Sequence, residues 1–309
     1  MIAGGRWVGG SLNSWLSGLV FTAAFWVGPV LAEVDDEPRG VFEVGFQFIH
    51  TDGFQGTQGK LPIGTTDARS INFDIHYRVG ERWSFELGIP LISKRYQGPG
   101  KHDPSLLDPP IDAPFIDTGS YHTYFQDWRI GAFYRLRDVP YGLGVEAFAA
   151  FGVPSTDYPF FAQSAVGQNL NKFDVGVAFS YVPPISDAYY QLDVSRVFVE
   201  ETLGVSIDHW RVNGEIGYFF NRHITGYGFF MLKEGDGKEF PDDFPPPRTT
   251  EWWYQHDRMV KHNYVNVGLG MLWALNDRYR LDVSALTMAH ADQVHIMKYA
   301  FNISLSRSF

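Results

Sequence analysis

Apolar and polar residues alternate at period two along most of this chain, the spacing of a strand that shows one face to an apolar medium and the other to a polar one. Val41 to His50 sets Phe42, Val44, Phe46 and Phe48 on one face. Arg69 to Val79 sets Ile71, Phe73, Ile75, Tyr77 and Val79 against Ser70, Asn72, Asp74, His76 and Arg78, and the tight link Gly80-Glu81-Arg82 leads into Trp83, Phe85, Leu87, Ile89 and Leu91. That is a hairpin. The same rhythm recurs from Trp128 to Leu136, Leu143 to Val153, Phe173 to Tyr181, Tyr190 to Phe198, Trp210 to Tyr218, Tyr227 to Met231, Val265 to Trp273 and Tyr279 to Ala285. The last segment, Lys298 to Phe309, aligns Tyr299, Phe301, Ile303, Leu305 and Phe309.

The pattern predicts twelve strands, with short turns near residues 80, 138, 184, 221 and 276 and long connections near 58, 108, 162, 203, 247 and 292. Short and long connections that alternate in this way belong to an even-stranded barrel with both termini on one side of a membrane. A soluble sandwich or lipocalin-like barrel shares the alternation but hides its apolar face. The one-sided loop lengths, charges of both signs on the polar face and features at the two chain ends favour an all-β fold: a single 12-stranded antiparallel transmembrane β-barrel.

The first residues read as an export signal: Arg6 is the only charge, Leu16 to Val27 is largely apolar, and Val30-Leu31-Ala32 precedes an acidic run. The expected organisation is a signal peptide over residues 1–32, cleaved after Ala32, and a barrel over residues 33–309. A single anchor helix is the alternative, but the apolar run is short for a span. Losing residues 1–32 removes Arg6 alone among the charges, so the formal net charge moves from −10 to −11. This speaks against nucleic acid as a partner. The chain has no cysteine, which excludes disulfides and thiolate metal sites. After the first residues no run of apolar residues is long enough for a helical span, a test that barrels escape because half of each strand is polar.

The polar rows are expected to line the lumen with Asp74, His76, Arg78, Glu86, Asp127, Arg129, Arg135, Glu146, Asp174, Asp193, Arg211, Glu215, Arg280, Asp282 and Lys298. Acids and bases are nearly balanced, so they either pair across the lumen and rigidify it or set a selectivity field at a constriction. Twelve strands give a backbone cylinder roughly 24 Å across. Inward glycines such as Gly88, Gly131, Gly176, Gly217 and Gly270 either widen a path or mark close packing. Eight of the ten histidines fall at the outer rim or in outer loops: His50, His102, His122, His209, His256, His262, His290 and His295. Among them, His290, Asp292 and His295 have the tight spacing of a metal or haem site, although no cofactor is expected; solvation is the plainer account. The loop acids, Asp103, Asp117 and Asp243 among them, are read as solvated. Catalytic motifs are lacking: the Gly53 to Lys60 stretch fails the P-loop spacing, and there is no nucleophile elbow. The chain reads as a non-enzyme.

Two resemblances give this reading a direction. The terminal Phe309, with apolar residues at every second position before it, resembles the C-terminal signal of bacterial outer-membrane proteins that the barrel-assembly machinery reads. Gly88-Ile89-Pro90, Phe125-Gln126-Asp127-Trp128-Arg129-Ile130-Gly131-Ala132-Phe133-Tyr134-Arg135-Leu136 and Phe151-Gly152-Val153-Pro154-Ser155-Thr156 resemble segments of the outer-membrane family named for the MetA pathway of phenol degradation. The first resemblance implies the Gram-negative outer membrane, with lipid and lipopolysaccharide around the barrel. The second implies uptake of small, often aromatic or apolar solutes. The expected function is a passive channel; the alternative is a structural barrel or surface receptor with a closed lumen.

Overall fold

Alternating faces become a barrel only if the first and last strands meet, and here they do. The structure, a computed structural model, describes residues 38–139 and 143–309, so the expected signal segment lies outside the described residues. Its strands are β1 (Gly40–Gly56), β2 (Gly59–Val79), β3 (Trp83–Gln97), β4 (His122–Phe125), β5 (Asp127–Val139), β6 (Leu143–Pro154), β7 (Lys172–Tyr181), β8 (Ala188–Val199), β9 (His209–Asn221), β10 (Ile224–Gly235), β11 (Asn263–Ala274), β12 (Tyr279–Asp292) and β13 (Val294–Ser308). Each pairs antiparallel with its neighbour, and β13 pairs with β1 from Val41↔Ser308 to Gln55↔Val294. β4 and β5 are one stave broken at Gln126, since both pair with β3. The break sits beside Pro90, which has no N–H to offer the ladder; its carbonyl accepts from the Gln126 N–H at 3.0 Å. The barrel therefore has twelve staves, as the alternation predicts.

At the seam, Gly40 and Phe309 exchange two backbone hydrogen bonds of 2.9 Å, and the Phe309 ring lies over Gly40 where a Cβ would stand. Closure leaves no unpaired edge, the condition for a β-structure in lipid.

The faces divide as the sequence requires. Outward rows carry large exposed apolar side chains on every side of the barrel, among them Phe46, Ile75, Phe85, Ile130, Ile216, Leu269 and Ile303. A soluble monomer does not leave an apolar belt of this extent in water. Trp83, Tyr77, Tyr190 and Tyr218 ring the turn end of this belt. Trp128, Phe151, Phe198, Trp210 and Tyr299 ring the loop end, as interfacial aromatics do.

Two of the expected long connections are in fact tight. β1 and β2 stay paired to Gly56↔Gly59 around Thr57 and Gln58, and β12 passes to β13 through Gln293 alone, at φ 58°. Side-chain alternation fades there because these arms rise beyond the lipid, where neither face must be apolar. Backbone pairing continues, and the glycines supply the geometry: Gly53, at the register shift of β1, and Gly59, at the turn, have φ of 78° and 95°. The true loops span residues 98–121, 155–171, 200–208 and 236–262.

Candidate functional site

Strands that alternate around a closed barrel bring second neighbours together on the concave face. Arg129 on β5 makes ion pairs with Glu86 on the adjacent β3 at 2.6 Å and, across that strand, with Asp74 on β2 at 3.0 Å. Lys172 reaches Asp127 at 3.0 Å, Arg135 meets Glu146 at 3.4 Å, and Arg211 is bonded to Asp174. Asp193 accepts from the Asn213 amide at 2.9 Å, and Glu215 and Asp282 accept from the hydroxyls of Tyr189 and Tyr227 at 2.6 and 2.8 Å. His76 packs on the Phe133 ring, Arg280 is buried, and Arg78 is half-buried towards the turn end. Arg129, Lys172, Arg135 and Arg211 thus meet carboxylates, whereas Asp193, Glu215 and Asp282 are held by neutral donors.

Lys298 departs from the expected lumen row. The register between β1 and β13 steps from His50↔Tyr299 to Thr51↔Met297, skipping Lys298, and this bulge turns its side chain out to the rim. There it is 45% exposed and lies 3.8 Å from Asp52, which Lys60 also holds at 2.8 Å. Glu43 and Lys172 belong with the inner row but were missed. Glu43 has the period of Gly45 and Gln47, so the same alternation marks it, whereas Lys172 sits at a strand start where the period has barely begun.

Inward glycines serve close packing. The Tyr189 ring lies over Gly217 and the Tyr227 ring over Gly270, their direct cross-strand partners, leaving no room for a Cβ. Each ring therefore lies along the wall instead of projecting across the lumen, and each hydroxyl reaches a carboxylate.

Over the mouth, three loops form a roof. Thr250 caps the short helix α1 (Glu251–Tyr254), and a further turn over His256–Arg258 follows. Arg258 donates from Nε to the Gln168 carbonyl at 2.9 Å, bonds the Asn169 carbonyl and lies 4.2 Å over the Phe160 ring. It thereby pins the 236–262 loop to the 155–171 loop. Asp117 has no exposed surface and accepts four hydrogen bonds of 2.7–3.0 Å: from the backbone N–H groups of His102, Gln163 and Ser164 and from the Ser164 hydroxyl. The loop acid expected to be solvated is the knot that joins the 98–121 loop to its neighbour, because a carboxylate can accept several N–H groups where the backbone finds no strand partner.

Beneath the roof is a cavity of about 230 Å³. Phe54, Phe160, Phe240 and Trp253 contribute its aromatic wall, and Lys94, Lys101 and Arg248 contribute cations. Lys94 donates to the Ala165 carbonyl at 2.9 Å, and Arg248 lies over the rings of Phe240 and Trp253. One carboxylate, Asp257, lines the same space beside His102, His256, His262 and His295.

The histidines do not meet as sequence spacing suggests. His290 is exposed on β12, Asp292 faces Lys261 at 3.5 Å, and His295 lines the cavity against Phe54. The hairpin turn at Gln293 sends the three in different directions. The group that does converge is His102, His256 and Asp257, whose ligand atoms all lie within 4.8 Å of one another. Burial against Trp253 holds His256 down at about 4. Burial alone would raise Asp257, but His256 and His102 beside it hold its carboxyl well below the usual range. Nothing in the sequence joins these residues, since His102 comes from a different loop.

No family model and no curated protein matches the chain. Solved structures do. The COG4313 outer membrane channel from Pseudomonas putida F1 superposes with a TM-score of 0.65 at 12% identity, covering 92% of this chain and 100% of that one. The NanC porin gives 0.51 at 8% identity over 87% of this chain and 100% of that one. The translocator domain of the autotransporter NalP from Neisseria meningitidis gives 0.52 at 9% identity, covering 89% and 90%. A channel, a porin and a translocator share this architecture, so the likeness fixes the fold and leaves the activity to the site. The chain has the fold of these outer-membrane proteins, a closed twelve-stave antiparallel β-barrel.

Proposed function

We propose that this protein is a passive outer-membrane channel for small aromatic or apolar solutes, which enter through the roofed mouth. The observation that carries the reading is the mouth cavity of about 230 Å³, with aromatic walls and three cationic side chains against one carboxylate. Such a lining suits a planar ring, and the excess of positive charge favours a ring bearing an anionic group. The flat-lying Tyr189 and Tyr227 support a path below it. The resemblance of the Gly88, Gln126 and Phe151 segments to the phenol-degradation family points to the same solute class. On this reading the barrel is a transporter and not an enzyme. Residues 1–32 are removed after Ala32, Phe309 is the handle for the barrel-assembly machinery, and lipopolysaccharide meets the Asp52, Lys60 and Lys298 rim.

A second reading, a structural barrel with a closed lumen, has its own support in the cross-strand ion pairs around Arg129. Purified barrel in planar bilayers and liposomes separates the two. We expect the intact protein to show small or intermittent conductance and to carry benzoate, whose charge keeps it from crossing lipid unaided. Deleting residues 235–258 removes most of one of the three roof loops and should give larger, steadier openings. If neither form carries ions or benzoate above protein-free liposomes, the lumen is closed and the structural reading stands.

A further inference from the structure

The His102, His256 and Asp257 group lies in the roof, with a ring nitrogen of each histidine facing the carboxylate. The His256 Nδ1 atom lies 2.7 Å from the Trp253 carbonyl, which can only accept, so the ring proton sits on Nδ1 and the Nε2 lone pair points away from it. That lone pair faces Asp257 Oδ1 at 3.2 Å. Two acceptors at this separation repel unless a proton or a metal cation lies between them. On the other side, His102 is 94% buried, at 6% exposure, and its Nδ1 lies 3.4 Å from Asp257 Oδ2 without forming a hydrogen bond. Its Nε2 is 3.2 Å from the Gln163 side-chain amide, whose oxygen lacks any partner. With that amide turned over, the His102 Nε2–H donates to its oxygen, and Nδ1 is left with a lone pair aimed at Asp257.

We infer that His102 Nδ1, His256 Nε2 and the Asp257 carboxylate form a binding site for a divalent transition metal of the zinc class, which latches the roof over the mouth. Two imidazoles and a carboxylate are a borderline donor set that suits such ions. The spacing is close to what the metal needs, because a tetrahedron with bonds of about 2.05 Å has an edge of about 3.3 Å. His256 Nε2 lies 3.2 Å from Asp257 Oδ1 and His102 Nδ1 lies 3.4 Å from Asp257 Oδ2, so each imidazole stands at about that edge from one of the two carboxylate oxygens. The widest separation in the group, at most 4.8 Å, must close by about 1.5 Å. The outer hydrogen bonds are those of a metal site: each imidazole has its remote nitrogen held, one by a backbone carbonyl and the other by an amide. His256 is also clamped flat on Trp253, with ring centroids 3.8 Å apart, and His102 on Phe161, at 4.9 Å. The fourth position opens to the cavity, where His262 and His295 stand nearby. Since His102 belongs to the 98–121 loop and the other two ligands to the 236–262 loop, a bound ion cross-links the two largest loops.

The test uses the full barrel folded in detergent, with any purification histidines removed, and titrates it with zinc by calorimetry and with cobalt by visible absorption. We expect one ion per barrel and the intense absorption bands of cobalt at low coordination number. His102→Ala and Asp257→Asn should each weaken uptake by roughly 100-fold or more, a larger loss than removal of an outer hydrogen-bond partner gives. His290→Ala, at an exposed histidine, should leave it unchanged. The heat-dependent gel shift reports that each variant is folded. Failure of the folded wild-type barrel to take up either ion overturns the site. So does uptake that survives in the folded His102→Ala Asp257→Asn double variant. Neither outcome depends on whether the barrel conducts.

Discussion

The wall of the barrel and the roof over its mouth are held by different kinds of contact. In the wall, Arg129 meets Glu86 on the next strand and Asp74 on the one beyond, partners set by strand register. In the roof, Arg258 bonds a carbonyl 90 residues away, and Asp117 gathers backbone N–H groups from two loops. Register is propagated by every hydrogen bond of the ladder, so one misplaced side chain leaves the wall standing. The roof has no ladder, and a few polar residues carry its geometry. Damage to the seam should therefore fail globally, damage to a wall pair should cost stability, and damage to a roof knot should stay local.

The seam carries the largest effect. Phe309 supplies two backbone bonds to Gly40 and a ring that covers it, at the position where the last strand finds the first. Deleting Phe309 should deplete folded barrel in the outer membrane and raise periplasmic degradation while leaving export intact. Normal abundance with an unchanged heat-dependent gel shift would show that the ladder from Val41 to Gln55 closes the barrel unaided.

Next comes the wall. Arg129→Ala leaves the Glu86 carboxylate, 4% exposed, and the largely buried Asp74 without their shared cation. Removing one partner of a buried pair costs about 3–5 kcal/mol, far above the 0–1 kcal/mol of an exposed one. Urea unfolding in lipid vesicles reads the difference. A loss below about 1 kcal/mol means that water reaches these carboxylates, which would favour an open lumen.

The same contrast explains what the sequence discloses. Period two sorts Ile71 from Asn72 and Ile130 from Gly131 because each strand meets lipid on one side, and the environment writes itself into every second residue. Twelve staves and the seam at Phe309 follow from that. Lys298 escapes because a bulge resets the period, and one extra residue reverses every assignment before it. The arms at 53–61 and 288–295 escape because above the lipid neither face needs to be apolar. The roof is the least legible part. Asp117 looks like any loop acid until its four donors are seen, and His102 gains its role from His256 and Asp257 in another loop. His290, Asp292 and His295, adjacent in sequence, are parted by a single turn at Gln293. Proximity along a chain says little about convergence where no ladder fixes direction.

The smallest effect tests whether wall and roof are separate cooperative units. Asp117→Asn keeps the size of the side chain but replaces one carboxylate oxygen with an NH₂ group. One oxygen must then serve donors that now occupy two, and the amide hydrogens point at N–H groups that offer no acceptor. In one amide orientation the N–H groups of His102 and Gln163 lose their acceptor, and in the other Ser164 loses both of its bonds. Each buried donor left unsatisfied costs about 1–3 kcal/mol. Because the barrel staves do not depend on Asp117, this penalty should fall on the opening of the 98–121 and 155–171 loops alone. Hydrogen exchange should therefore quicken at His102, Gln163 and Ser164 while the ladder amides of β1 and β13 keep their protection, and the heat-dependent gel shift should not move. Loss of protection along the ladder as well would mean that the roof helps to hold the staves together, and the division between wall and roof would have to be given up.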